Sequence, residues 1–308
     1  MMINVKLDNK AKNTIAKTLG LNEGGEVVDN GEKIEDLVNK DVITKASATE
    51  VGGSIYIFGG RNNYNVSNQI EKYNCETGVF TTLETILPYN LFNLQTVSYG
   101  NKIYIFGGRK KVSTSESANT QMWYFDTVTE TLNNLEKTQY YSGAVAVGGY
   151  IYLFYPEGNT STRVDKLDVE TGKISSYITA FSHSGYNLNL ESVGNNIYIF
   201  GNGDNTIYKF DTVNETIEDL SIYLNAKYCA SSVIGGNIYI FGGTGESGIE
   251  GKIYKFDTNN NALFELTIKC AELENMASAV VGNNIYLFGG DYGTNIGAYN
   301  TQRFSVNF

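Results

Sequence analysis

One short apolar block recurs six times along the 308-residue chain. It reads Ile-Tyr-Ile/Leu-Phe and starts at Ile55, Ile103, Ile151, Ile197, Ile238 and Ile285, with successive starts 48, 48, 46, 41 and 47 residues apart. A run this short that stays apolar at consecutive positions predicts a strand buried on both faces. Before it come a tight Gly/Asn turn and a run of small residues (46–51, 230–234, 277–281), which predicts a preceding strand at a crowded axis. After it usually come two glycines, the residues that allow positive φ and close approach of a neighbouring backbone.

A second pattern follows each block. An apolar or aromatic residue (Tyr73, Phe125, Leu167, Phe210, Phe256) precedes Asn or Asp, and another apolar residue comes seven positions after it. The polar stretch between them is hairpin-turn chemistry, in which an Asp can satisfy its own backbone through an Asx turn. Each repeat thus predicts four antiparallel strands, a to d, and a four-stranded sheet repeated radially is a propeller blade. The sixth repeat ends after strand c. The missing strand d stands at the other end of the chain: Glu32-Lys-Ile-Glu-Asp-Leu37 repeats the blade-four segment Glu215-Thr-Ile-Glu-Asp-Leu220 almost residue for residue. The expectation is an all-β, six-bladed propeller closed by an N-terminal strand, which would remove two exposed sheet edges.

These motifs resemble the kelch-repeat propellers over residues 30–308. The diglycine is intact in four of six copies; blade 3 has Tyr155-Pro156 and blade 4 has Gly201-Asn202 instead. The family's Trp late in the repeat is replaced by Phe80, Leu132, Ile174, Ile217 and Leu263. Residues 1–29 fall outside the repeats. There Asp8 can cap a short helix with Ala11, Ile15 and Leu19 on one face and Gly20 as its stop, a segment able to lie on the propeller or dock to a partner.

Composition narrows the chemistry. A net charge of −10 and a pI near 4.8 disfavour nucleic acid, and the best basic run, Arg109-Lys110-Lys111, is soon followed by Glu116. Three scattered cysteines and a single histidine, His183, supply neither a disulfide framework nor a metal-ligand set, so no metal and no cofactor are expected. Gly243-Thr-Gly-Glu-Ser-Gly248 matches a dinucleotide fingerprint, but a strand pattern follows it where a phosphate site needs a helix. Residues 1–8 lack a signal peptide's apolar stretch, and no run approaches the length that spans a bilayer. The expected setting is the cytoplasm or a larger particle, without membrane insertion.

Strand parity places the b–c loops and the d–a links between blades on one face, and the resemblance implies binding through that face. Its candidate ligand-binding residues are Arg61, Tyr64, Arg109, Tyr140, Tyr141, Tyr186, Tyr228 and Asp291. Aromatic rings beside Arg, Asn and Asp suit a glycan or a protein segment. The expectation is a non-enzymatic recognition module with no catalytic residues, possible as a surface-attachment part of a bacterial or phage assembly. The alternative rests on a resemblance to sialic-acid mutarotases, with Arg61 and Arg109 converging on a carboxylate and Glu157 or Asp291 as base.

Overall fold

The computed structural model describes residues 32–37, 44–62, 65–158, 161–181, 188–200, 205–292 and 301–306. Within them the chain is all-β, and six sheets stand around an axis. Blade 1 shows the plan: Ser47–Val51, Ser54–Phe58, Gln69–Asn74 and Val79–Ile86 pair in chain order, antiparallel throughout. Blades 2 to 5 follow over 90–138, 143–181, 189–223 and 230–269. In blade 6, Ala277–Val281, Asn284–Phe288 and Gln302–Ser305 form a sheet whose outer neighbour is Lys33–Asp36, with Lys33 opposite Ser305 and Asp36 opposite Gln302. The predicted helix at residues 8–20 lies outside the described residues.

Each strand b carries apolar residues on both faces because each blade packs between two others. Six buried clusters result, one per seam. Tyr56 and Phe58 of blade 1 meet Ile103, Trp123 and Phe125 of blade 2, for example. In the seam between blades 5 and 6, Ile34 packs against a cluster containing Phe241, Leu287 and Phe304. Glu32, just ahead of that strand, accepts a hydrogen bond from the Tyr239 hydroxyl at 3.2 Å.

The diglycine anchors neighbouring blades. Gly59 and Gly60 have φ of 58° and 94°. A Cβ on Gly59 would lie 2.4 Å from the Leu91 carbonyl oxygen, and the Gly60 amide donates to that same oxygen at 2.7 Å. The motif thus lets the link into blade 2 lie flat on blade 1. In the c–d turns the acids act as the pattern predicts: Asp126 Oδ1 accepts from the Val128 and Thr129 amides at 2.9 and 3.1 Å, and Asp211 Oδ1 from Val213 and Asn214 at 2.8 and 3.0 Å. These amide donors stabilise the ionised carboxylates and hold both pKa values below the usual range.

In blade 3, strands b and c stay paired almost to their connection. With Tyr155-Pro156 in place of the diglycine, strand b runs on to Glu157, which pairs with Ser161 across a short hairpin. In blade 2, strand b likewise continues through Gly107-Gly108 to Val112 and folds back as Ser115–Ala118.

Candidate functional site

The links that lead into strands a and the segments that follow the diglycines meet on one face. They pair directly: Thr44 bridges Arg61, Lys227 bridges Thr244 and Glu274 bridges Asp291, while Phe92 lies opposite Arg109. Inside this ring is a cavity of about 620 Å³. It opens into an axial channel of about 430 Å³ walled by the six strands a, with Ala46, Gln95, Asn189 and Met276 among the residues shared between the two.

All six blades contribute to the rim, through Lys45, Asn93, Tyr140, Asn189, Tyr228 and Asn275 in blade order. Four of these share an unusual backbone. Lys45, Asn93, Tyr228 and Asn275 all adopt the left-handed conformation, with φ of 57°, 53°, 56° and 57°. Asn tolerates it; Lys and Tyr are strained there by roughly 1–2 kcal/mol each. The conformation aims each amide at the neighbouring link. Asn93 donates to the Lys45 carbonyl at 2.8 Å, Lys45 to Asn275 at 3.2 Å, and Asn275 to Tyr228 at 2.8 Å. A backbone belt therefore binds four successive links around the axis, leaving their side chains to shape the cavity. Strain of this kind at a cavity rim is a pointer to function.

The lining is locally cationic although the chain is acidic. Lys45 and Arg109 are its charged members, set among the carboxamides of Asn93, Gln95, Asn189 and Asn275. Deeper, Glu191 lines the channel, and its Oε1 accepts from the Ser231 hydroxyl at 2.8 Å. Packing inside the channel desolvates this carboxyl and raises its pKa to about 7 against the pull of the Ser231 hydrogen bond. Hydroxyls stitch other seams of the channel: Ser47 to Thr96 at 2.8 Å, and Ser278 to the Ser231 carbonyl at 2.6 Å.

The sequence candidates divide. Arg109, Tyr140 and Tyr228 line the cavity. Arg61 sits just outside it, its guanidinium 5.2 Å over the Phe92 ring, and both Arg61 and Arg109 face Glu116 at 3.8 and 3.7 Å. The two arginines do converge on one carboxylate, but it is the chain's own. Asp291 is 3% exposed beneath the rim, accepting from Asn275 Nδ2 at 3.2 Å and pairing with Lys45 at 3.6 Å. Tyr141 requires a correction. It is 2% exposed, packs edge-on against Phe106 and Tyr155, and donates its hydroxyl to Asp165 at 2.8 Å. Burial and that acceptor raise its pKa, and the ring belongs to the core between blades 2 and 3. Tyr64 and Tyr186 lie outside the described residues. Of the two acids considered as bases, Glu157 pairs with Arg163 and Asp291 with Lys45.

Lys45, Asn93, Gln95, Asn189 and Glu116 escaped the sequence reading. Aligning the links would have found the first two: Lys45-Ala-Ser, Asn93-Leu-Gln, Tyr228-Cys-Ala and Asn275-Met-Ala occupy equivalent positions before strand a. Among the described residues no group of three His, Cys, Asp or Glu could hold a metal ion. Burial pushes the Cys229 and Cys270 thiols up to about 12, where they are poor nucleophiles at neutral pH.

Six radial sheets, five of four strands and one of five, with a cavity at one mouth of the axis, define a six-bladed β-propeller. The Kelch motif model matches residues 44–85, which is blade 1 with its leading link, and the other five blades repeat the same plan. No curated protein matches the sequence.

Proposed function

We propose that this protein is a recognition module that seats a segment of a protein partner on the loop face, over the cavity at the mouth of the axial channel. The observation that carries the reading is the rim itself. All six blades contribute side chains there, and two of the four left-handed positions hold Lys45 and Tyr228 where Asn or Gly would relieve strain. Tyrosyl rings supply contact area at low entropic cost, and the carboxamides supply both donors and acceptors for a partner's backbone.

The propeller domain is taken as residues 30–308, with 1–29 outside it, and the strand at 33–36 as the closure of the ring. A glycan is the second reading, favoured by the four carboxamides beside Tyr140 and Tyr228. Surface attachment in a bacterial or phage assembly is a narrower form of either. A mutarotase would need Arg61 and Arg109 to take a substrate carboxylate, and an anomer-exchange assay tests that directly.

The experiment is selection of peptide-display and glycan-array ligands on the purified protein, followed by substitution. Tyr228→Ala, Asn93→Ala and Arg109→Ala should weaken a selected ligand, by more than about 1 kcal/mol at an anchor. Ser54→Ala and Asn196→Ala, on the a–b turns of the other face, should not. The reverse pattern, with the turn substitutions weakening binding and the rim substitutions neutral, removes the assignment.

A further inference from the structure

Arg61 and Arg109 occupy equivalent places in neighbouring blades, one residue after the diglycine. The backbone of each is fixed. The Arg61 amide donates to the Thr44 carbonyl at 2.8 Å, the Arg61 carbonyl accepts from the Thr44 amide at 2.9 Å, and Arg109 lies in the extended strand b of blade 2, opposite Phe92. Glu116 comes between them on the returning arm of the blade-2 hairpin. At the base of that hairpin Asn119 is fully buried and donates to the carbonyls of Gly107 and Gln121 at 2.8 and 3.0 Å. The base is thus held firmly, while Ser115–Ala118 is exposed at every position.

Glu116 offsets only one of the two positive charges and does not satisfy the donors of either arginine. Its contacts of 3.8 and 3.7 Å exceed the roughly 2.7–2.9 Å of a charge-assisted hydrogen bond. Arg61 Nε is buried and has no hydrogen-bond partner among the described residues. Half-exposed ion pairs of this length contribute little, so the carboxylate is held loosely. Two guanidinium groups with donors left over, one of them stacked on Phe92 and the other reaching the cavity, form a site for a carboxylate that can bond both in fork geometry.

We propose that Arg61 and Arg109 form a carboxylate-binding subsite which Glu116 occupies in the unliganded protein and gives up to an acidic side chain of the partner. The proposal rests on the loop-face reading above and adds what the partner brings there. It also gives the hairpin a role, since Glu116 offsets part of the charge of the two cations and keeps weak anions off until a better-placed carboxylate displaces it.

The test uses glutarate, a dicarboxylate without other recognition features, titrated against the full chain and followed on the arginine Nε–Hε NMR signals. Glu116→Gln should bind glutarate several-fold tighter than the wild type, up to about fivefold for a competitor worth about 1 kcal/mol. Glu76→Gln, which removes the same charge on a c–d turn, should not. Arg61→Ala and Arg109→Ala should abolish the response. Arg61→Lys keeps the charge, guards against misfolding and should still weaken binding because the fork is lost. Neutral glutaramide should give no response. Equal glutarate affinity in wild type and Glu116→Gln, or full binding by Arg61→Ala, overturns the proposal. A glutarate response from a protein whose rim substitutions leave ligand capture intact keeps the subsite and removes only the docking reading.

Discussion

Ser231 donates its hydroxyl to Glu191 at 2.8 Å across the seam between blades 4 and 5, inside the axial channel. That bond does not compensate for desolvation, and folding raises the Glu191 pKa from the ordinary 4.5 to about 7. Between those values the native state holds a proton that the unfolded chain has released. The group's contribution is therefore fully present below about pH 4.5 and is lost as pH rises through 7. Unfolding free energy should fall from pH 5 to pH 8 by an amount on the order of 2 kcal/mol after allowing for water in the channel, and the melting temperature should fall with it. Glu191→Gln should flatten that slope and be the more stable protein at pH 8. Parallel profiles for the two proteins would refute the assignment.

Tyr228 should separate stability from binding. Tyr228→Gly relieves a left-handed φ of 56° at a side chain 41% exposed. Thermal unfolding should show a gain of up to about 1 kcal/mol, since the relief exceeds the entropy glycine adds to the unfolded chain. Ligands selected on the loop face should bind this variant more weakly.

Gly107 is the most constrained glycine of the diglycine set. A Cβ there would fall 1.8 Å from the Tyr141 carbonyl oxygen, at a φ of 59°. Gly107→Ala must push blade 3 off blade 2, at a cost of about 3 kcal/mol or more in denaturant unfolding. Gly52→Ala, with φ of 63° and nothing within 4 Å, should show only the backbone cost of about 1 kcal/mol.

Removal of residues 1–40 tests the N-terminal strand. Gln302 Nε2 donates to Asp36 at 2.9 Å, Arg303 pairs with Glu35, and Ile34 packs on the blade 5–6 core. The truncated protein should expose Gln302–Ser305 as an edge, lose cooperative unfolding and aggregate. An unchanged melting curve would show that blade 6 stands on three strands.

The blades were legible in the sequence because their determinants are local. Ile-Tyr-Ile-Phe specifies a doubly buried strand whatever surrounds it, and Asp126 or Asp211 closes its turn with amides two and three residues away. The site was legible only by face. Tyr140 and Tyr141 are neighbours of the same type, yet one rims the cavity and the other turns into the core to reach Asp165, a residue of another strand. Nothing within the link distinguishes them. The convergence of Arg61 and Arg109 could be anticipated from their equivalent positions, but their partner could not, because Glu116 reaches them only through an extension of strand b past its glycines. Lys45 and Asn93 carry no compositional signal, and their shared φ becomes visible only in three dimensions.

The backbone belt that joins Tyr228, Asn275, Lys45 and Asn93 is made by main-chain atoms alone, and it already accommodates side chains as different as Lys, Asn and Tyr. Substitution there can change what the mouth of the channel recognises while the bonds that hold neighbouring links together persist. Variation among descendants of this chain should concentrate at these positions and spare the glycines beneath them. The rim is in that sense a set of interchangeable letters on a fixed ring, and one blade can acquire a new specificity without renegotiating the other five.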